Sequence, residues 1–273
     1  MATRKRTSSK KQAFYQSKIF WNIVLIFSIL VAIYIYRNNI LYYLSYKSDK
    51  VVKSEKQYKE HNLIVLNANE DNVFGIDVSH YQGTINWEKV NYIYEEKYPI
   101  KFVLIRATQG IDKNDNQFKY NWLATRQNHF IRGAYHYYRP NENSIEQANN
   151  FIKNVKLSNG DLPPILDIER LPNNQSVDNL KIGLKRFLKK VENHYKVKPI
   201  IYSGEKYYED FLKDEFAEYT FWIANYNFIE PEINSDYQFW QFTEQANIDG
   251  ISEKTDVNIF NGNLEDFKKL QIK

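Results

Sequence analysis

Eight short apolar runs, separated by longer amphipathic segments, restrict the fold of this sequence more than any other feature. The runs begin at residue 73 and read VFGIDVS, KFVLIRATQ, IRGAYHYY, PPILDIE, KPIIYSG, YTFWIANY, YQFWQFT and TDVNIF. Two intervening segments, SIEQANNFIKNVK and VDNLKIGLKRFLKKVENHY, space their apolar residues by three and four, which is typical of helices. Alternating strands and helices favour a βα barrel or a doubly wound sheet. An all-β sandwich would need denser turn signals than this sequence has.

Polar side chains collect at the ends of these predicted strands. In a βα barrel the carboxyl ends of the strands gather at one mouth, where active sites lie. Four of the polar residues are acids, and clustered like charges are costly unless a cation or a reaction requires them. The candidates are Asp77, Arg106, Gln109, His136, Tyr138, Asp167, Glu169, Tyr202, Trp222, Asn225, Gln241 and Asp256.

Asp167 and Glu169 stand one residue apart at the end of PPILDIE. Successive side chains of a strand point to opposite faces, so these two share a face, about 6.6 to 6.8 Å apart at their bases. A strand that ends in water often carries acids for solubility alone. Two carboxylates held this close also repel, which raises the pKa of one and leaves the other ionised, as a mechanism with an acid and an anion needs.

Composition excludes several other kinds of site. The 273-residue sequence has no cysteine, which excludes a disulfide scaffold, a cysteine nucleophile and thiolate metal sites. Its five histidines are scattered without HExxH or similar spacing, which argues against a zinc hydrolase. The net charge of +4 includes six basic residues within positions 1–18 and is −2 without them. This mildly acidic remainder gives no case for nucleic acid as a partner.

Residues 19–36, IFWNIVLIFSILVAIYIY, form an uncharged apolar run, long enough to cross most of a hydrocarbon core about 30 Å thick. Basic residues precede the run, and Trp21, Tyr34 and Tyr36 lie near its ends, as the positive-inside and aromatic-belt patterns require. A cleaved signal peptide is the closest alternative, but the run exceeds the usual length of about 7 to 15 residues and no small-residue cleavage site follows it. We therefore predict an uncleaved signal anchor in the cytoplasmic membrane.

Charge and apolar patterning together predict four segments with different roles. Residues 1–18 form a basic cytoplasmic segment, and residues 19–36 form the membrane span. Residues 37–70 are polar and lysine-rich, which suits a stalk or a short helix, and residues 71–273 form the exported barrel domain.

At the strand-end residues the sequence resembles glycoside hydrolase family 25, the muramidases often called Chalaropsis-type lysozymes, over about residues 73–262. GIDVSHYQGTINW resembles the opening strand and turn of the family, GAYHYY its third strand, PPILDIE its acid pair, and FWIANY and FWQFTEQANIDGISEKTDVNIF its closing strands. The resemblance implies an irregular (β/α) TIM-like barrel in which not every strand is followed by a full helix. It also implies hydrolysis of the β-1,4 bond between N-acetylmuramic acid and N-acetylglucosamine in peptidoglycan, with no cofactor. We expect the chain to act as a monomer.

The resemblance assigns roles to the four acids. Glu169 matches the general acid, which protonates the leaving glycosidic oxygen and needs a raised pKa to do so. Asp167 matches its partner, which stabilises positive charge near the anomeric centre either directly or by orienting the N-acetyl oxygen of the substrate. Asp77 and Asp256 match two further carboxylates that position the substrate at the mouth.

The remaining candidates for substrate binding are Tyr137, Tyr202, Trp222, Arg106 and Gln241. Tyr137 and Trp222 could equally be barrel packing, and Arg106 could contact substrate or balance the negative charge of the mouth. His136 lies in the middle of an apolar strand, which predicts a hydrogen-bonded structural histidine.

Two other functions remain open. The barrel could bind peptidoglycan without cutting it, as a wall-attachment module, although a binder has no need to retain all four acids. It could also hydrolyse a chitin-like glycan, which the sequence does not distinguish from peptidoglycan.

Overall fold

A computed structural model describes residues 18–48, 53–228, 232, 234 and 236–273 of the chain. The chain divides between residues 51 and 52 into two compact units. The predicted basic segment lies outside the described residues except for Lys18, as do residues 49–52 of the predicted stalk.

The first unit contains helix α1 (Lys18–Ser48). One stretch of it, Phe20–Arg37, is long and apolar enough to cross a membrane, judged by length and composition. A signal sequence near an amino terminus has the same properties. The helix therefore fits either a membrane anchor or a signal sequence.

The described part of the second unit contains nine strands, and eight of them close into a barrel. Each of the eight apolar runs contributes one strand of the barrel, whereas the two-residue β3 lies outside it. The strands are β1 (Val73–Val78), β2 (Ile100–Gln109), β3 (Lys113–Asn114), β4 (Ile131–Tyr137), β5 (Ile165–Asp167), β6 (Ile200–Gly204), β7 (Thr220–Ala224), β8 (Phe239–Ala246) and β9 (Thr255–Phe260).

Seven barrel strands run parallel in chain order, from β1 through β2 and β4 to β8. Strand β9 closes the barrel antiparallel to both of its neighbours, β8 and β1. Its direction follows from the short link 247–254, because a parallel connection needs a crossover of about a dozen residues or more. The closed barrel confirms the TIM-like prediction and excludes a doubly wound sheet.

Helices of 10 residues or more follow only three of the barrel strands within the described residues, which agrees with the irregular barrel that the resemblance implied. The chain forms α3 (Phe118–Gln127) after β2 and β3, α4 (Ser144–Asn154) after β4, and α5 (Val177–Tyr195) after β5. Only short helical turns, Glu205–Tyr207 and Tyr208–Leu212, follow β6.

Strand alternation divides the interior of the barrel into an apolar layer and a polar layer. Phe239 and Phe260 pack with Phe267 of helix α6 (Leu264–Lys269), and their ring centroids lie 4.9 to 6.0 Å apart. Two residues nearer the mouth, Phe239 is followed by Gln241, and Phe260 is preceded by Asn258, both of them buried. The aromatic layer closes one end of the barrel, so the polar layer faces the mouth.

Helix α2 (Glu55–Ala68) packs along the outside of the barrel and contacts β8. Ser54 begins the helix with a capping box, and Val65 and Leu66 on its inner face are fully buried. Residues that we predicted as stalk therefore belong to the same compact unit as the barrel. The position of the domain boundary stays a prediction.

The two ends of the barrel chain meet at its closed end. The Gly262 amide, just after β9, donates to Asn72 Oδ1, just before β1, at 3.2 Å. The Ile272 amide donates to the carbonyl of Asp161, ahead of β5, at 2.9 Å. The chain after β9 therefore stays away from the mouth.

A buried ion pair joins β4 to the segment before β5. Arg132 Nε donates to Asp161 Oδ1 at 2.8 Å, and the two side chains are only 4 % and 2 % exposed. The guanidinium also lies 3.8 Å from the centre of the Trp122 ring, and the Ser158 amide donates to Asp161 Oδ2 at 2.9 Å. Each charge is therefore compensated inside the protein.

Replacing Asp161 with alanine should lower the free energy of unfolding by about 3 to 5 kcal/mol, because Arg132 would remain buried without its partner. Urea unfolding of the full chain, followed by near-ultraviolet circular dichroism, measures this change. Glu215→Ala is the control, since Glu215 pairs at the surface with Lys181 and Lys185, and it should change stability by less than about 1 kcal/mol. Equal losses in the two variants would contradict the assignment of a buried, mutually dependent pair.

Candidate active site

All four acids singled out in the sequence lie at the mouth of the barrel. Asp77 is near the end of β1, Asp167 ends β5, and Glu169 follows two residues later. Asp256 is near the start of β9, which faces the mouth because this strand runs in the opposite direction. Asp77 and Asp256 are direct partners in the β1–β9 ladder.

Asp77 and Asp256 form one hydrogen-bonded pair of carboxyl groups. Asp77 Oδ2 also accepts from Gln241 Nε2 at 2.7 Å and from Asn258 Nδ2 at 2.8 Å. Burial raises the pKa of Asp77 to about 6, and these hydrogen bonds oppose the rise. Burial and the charge of Asp77 raise the pKa of Asp256 well above its usual range. The two amides that donate to Asp77 therefore favour its anionic form, whereas burial beside Asp77 favours the protonated form of Asp256.

Asp167 and Glu169 form the second hydrogen-bonded pair. Burial is the main cause that raises the pKa of each, and the charge of Glu169 further raises that of Asp167. Asp167 is only 4 % exposed, and its Oδ1 has no hydrogen-bond partner among the described residues. Glu169 is less buried. Burial therefore favours the protonated form of both acids, and repulsion between them favours one proton on the pair. The predicted assignment of that proton to Glu169 stays a prediction.

Arg106 supplies positive charge beside this second pair, and its charge lowers the pKa of both Asp167 and Glu169. Its Nε donates to Asp115 Oδ2 at 3.1 Å, and its guanidinium also contacts His80. The side chain is 10 % exposed. Of the two roles left open for Arg106, these contacts favour charge balance over direct contact with substrate.

Tyr202 and Trp222 lie beneath the acids and are nearly fully buried. The Tyr202 hydroxyl donates to Gln241 Oε1 at 2.8 Å, and Trp222 Nε1 donates to Asn258 Oδ1 at 2.8 Å. Both side chains thus orient an amide that in turn donates to Asp77. Their burial favours packing and positioning over direct stacking on a sugar.

Tyr137, the last residue of β4, is half-buried next to the second pair of acids. Burial and the charges of Glu169 and Asp167 raise its pKa. The Arg170 guanidinium lies 5.9 Å from the centre of its ring. Tyr137 therefore keeps the position at the mouth that a substrate-binding role requires.

The other strand-end residues make hydrogen bonds and packing contacts within the wall of the barrel. His136 is fully buried between Thr108 Oγ1, at 2.7 Å, and Gln147 Oε1, at 3.2 Å, and burial lowers its pKa to about 4. This agrees with the predicted structural role. Tyr138 is buried against α5, and Asn225 Nδ2 donates to Glu205 Oε2 at 2.7 Å.

Three residues at the mouth were missed by the sequence reasoning. Asn258 shares a strand face with Asp256, and Tyr135 shares one with Tyr137, so strand alternation could have indicated both. Tyr135 is buried, and the charges of Asp77, Asp167 and Asp256 act on it. The third residue, Tyr226, donates its hydroxyl to Gln241 Oε1 and lies beyond the end of β7, where alternation gives no signal.

In the ranges that the structure describes, no group of three or more histidine, cysteine, aspartate or glutamate side chains is arranged to hold a metal ion. The polar side chains described at the mouth are carboxyl groups, amides, tyrosines and the Arg106 guanidinium. Two hydrogen-bonded carboxyl pairs can supply one acid and one anion to a bound ligand.

The family model described as glycosyl hydrolases family 25 matches residues 76–251. The uncharacterized protein YegX of Escherichia coli (strain K12) is 36% identical over 197 residues, which are 72% of this chain and 72% of YegX. Lysozyme M1 of Streptomyces globisporus is 31% identical over 210 residues, 71% of this chain and 70% of that protein. The crystal structure of the bacterial lysozyme from Streptomyces coelicolor matches with a TM-score of 0.65 and 29% identity, covering 73% of this chain and 97% of the other.

The matched residues include Asp77, Asp167 and Glu169, whereas Asp256 lies just beyond them, and the barrel has the same fold as the solved structure. The chain therefore belongs to glycosyl hydrolase family 25 and is a glycoside hydrolase.

Proposed function

We propose that this chain is a muramidase, which hydrolyses the β-1,4 bond between N-acetylmuramic acid and N-acetylglucosamine in peptidoglycan. The observation that carries the proposal is the Asp167–Glu169 pair, which is hydrogen-bonded at the barrel mouth and whose pKa values are both raised by burial. The lysozymes to which the chain is similar support peptidoglycan as the substrate.

Glu169 is the proposed general acid, because it lies nearer to solvent than Asp167 and can reach the glycosidic oxygen. Positive charge that develops at the anomeric carbon favours the anionic form of Asp167, so the proton of the pair is available on Glu169. Glu169 gives this proton to the leaving oxygen as the bond between that oxygen and the anomeric carbon breaks. A water molecule then adds to the anomeric carbon and returns a proton to Glu169.

Asp167 is the proposed electrostatic partner. Its Oδ1, which accepts no hydrogen bond from the described residues, faces no competing donor for the substrate. The carboxylate can stabilise the anomeric charge directly or orient the N-acetyl group as an internal nucleophile, and both routes use the same anion. The buried position strengthens either interaction, since electrostatic effects grow as water is excluded.

Asp77 and Asp256 are proposed to bind substrate and to tune the catalytic pair. The negative charge of Asp77 raises the pKa of both Asp167 and Glu169. It thereby helps the pair to retain one proton at neutral pH. Tyr137, the register partner of Asp167 on the neighbouring strand, is proposed to contact the sugar.

We also propose that α1 is an uncleaved anchor in the cytoplasmic membrane, with the amino terminus in the cytoplasm and the barrel exported. Peptidoglycan lies outside that membrane, and the apolar stretch Phe20–Arg37 supports an anchor. The barrel then acts as a tethered monomer.

Glu169→Gln should lower the rate of hydrolysis by about 10² to 10⁴-fold, because the amide cannot give a proton to the leaving oxygen. The assay measures the release of reducing ends from purified peptidoglycan by the full chain in mild detergent. Glu218→Gln, a surface change at a residue paired with Lys198, should retain the wild-type rate. Full activity of Glu169→Gln would exclude Glu169 as the acid.

The products and the binding behaviour of the wild-type chain separate the proposed function from its alternatives. Mass spectrometry should find N-acetylmuramic acid at the new reducing ends. A chain that sediments with peptidoglycan yet releases no reducing ends would instead be a binding module, and activity only on chitin-like chains would identify the other glycan.

Asp77→Asn should move the alkaline limb of the pH profile of kcat/KM to lower pH. The active form carries one proton on the Asp167–Glu169 pair, and removal of the Asp77 charge lowers the pKa at which that proton is lost. Rates measured across the pH range for the wild type and the variant check this direction. An alkaline limb that stays in place or moves to higher pH would show that Asp77 does not act on the pair.

Membrane fractions of cells that express the full chain should retain it after alkaline carbonate washing, and its intact mass should include residues 19–36. A mature protein that begins after this run and is released in soluble form would identify a cleaved signal peptide instead.

A further inference from the structure

Helix α2 contacts the loop that follows β7, beside the mouth. The ring of His61 stacks on the ring of Phe228, with centroids 4.0 Å apart and 20° between the planes. Tyr58, one turn earlier, meets the same ring edge-on at 5.5 Å. The imidazole of His61 is also hydrogen-bonded to the backbone of Asn227. His61 is only 7 % exposed, so the helix holds this part of the loop in a packed contact.

The same loop brings Tyr226 to the acids. Its hydroxyl donates to Gln241 Oε1, and Gln241 Nε2 donates to Asp77 Oδ2 at 2.7 Å. The charges of Asp256 and Glu169 also act on this hydroxyl, so it lies among the acids of both pairs. Tyr226 is 37 % exposed, which leaves part of its ring open to a bound sugar.

Tyr226 is held between two fixed points in a segment without regular secondary structure. On one side, Asn225 Nδ2 donates to Glu205 Oε2 at 2.7 Å, and the carbonyl of Asn225 accepts from Trp240 Nε1 at 2.7 Å. On the other side, the contacts of α2 fix Phe228. Loss of the contacts of Asn225 or of Phe228 would allow the Tyr226 hydroxyl to move away from Gln241.

We propose that His61 and Phe228 are positioning residues for the muramidase reaction, through which helix α2 keeps the Tyr226 hydroxyl on Gln241 and within reach of the sugar at the mouth. The helix precedes residues 76–251, which the family model matches, so the proposed support lies outside the part of the barrel that defines the family. This inference rests on the proposed function, because peptidoglycan hydrolysis is its readout.

The other end of α2 offers a matched control. Asn67 Oδ1 accepts from the Tyr98 hydroxyl at 2.8 Å and from Lys97 Nζ at 3.0 Å. Tyr98 lies just before β2, at the closed end of the barrel. Asn67→Ala therefore loosens the helix on the barrel without a change at the loop that carries Tyr226.

The experiment compares full-length variants in mild detergent, with kcat and KM measured from reducing-end release and folding monitored by the thermal midpoint. His61→Ala and Phe228→Ala should each lower kcat/KM by about 3- to 10-fold, the size expected when one well-placed hydrogen bond is lost. Asn67→Ala should keep the wild-type kcat/KM even if its thermal midpoint falls. His61→Phe, which retains a stacked ring, should recover most of the activity.

A double-mutant cycle with Tyr226→Phe tests whether the helix acts through this hydroxyl. Tyr226→Phe with His61→Ala should be no slower than Tyr226→Phe alone, because the hydroxyl that His61 helps to place is already absent. Effects that multiply would overturn the proposal, as would a wild-type kcat/KM in His61→Ala or an equal loss in Asn67→Ala. If His61→Ala does not fold, Phe228→Leu, which keeps an apolar contact without the ring stack, replaces it in the cycle.

The same measurements distinguish failure of this inference from failure of the proposed function. A wild-type chain that releases no reducing ends overturns both. Wild-type hydrolysis that His61 and Phe228 variants leave unchanged overturns the positioning role alone.

Discussion

Four carboxyl groups lie at one end of this barrel, and the other side chains of the mouth offset the unfavourable free energy of burying these acids together. Buried negative charges repel one another, and burial alone disfavours each of them. The structure lowers this cost by joining the acids into two hydrogen-bonded pairs, so that each pair needs only one negative charge. Arg106 lies beside one pair, and the amides of Gln241 and Asn258 donate to the other. Hydrolysis requires a retained proton and a stable anion, and both follow from this pairing of the acids.

The strands supply the geometry for this arrangement at low cost. Residues two apart on a strand point to the same face. On β8 and β9, Phe239 and Phe260 lie in the aromatic layer at the closed end, and Gln241 and Asn258, two residues away, lie in the polar layer. The aromatic layer beneath is built from Phe239, Phe260 and Phe267, whose side chains have no polar atoms, so the hydrogen-bonding groups lie above it. Buried side chains such as Trp222 then fix the amides from below. The acids are therefore oriented from below by buried side chains.

Much of this arrangement could be predicted from the sequence, because it is local. The eight apolar runs mark the barrel strands, and the spacing of Asp167 and Glu169 indicates a shared face. The burial of each acid could not be predicted, since it depends on how the rest of the chain packs around the mouth. Tyr226 lies beyond a strand end, where no periodicity applies. Helix α2 is mostly polar. Its composition therefore did not indicate that its inner face, which includes the buried His61, packs on the barrel.

The path of α2 has a practical consequence for attaching this enzyme to a solid support. The helix is about 21 Å long at 1.5 Å per residue, and it descends from the loop with Phe228 to the closed end beside Tyr98. A linker joined at Lys53 would therefore emerge at the rim, on the side of the acids. Immobilisation through a linker after Ile272, which is hydrogen-bonded at the opposite end, would leave the opening directed toward the solution.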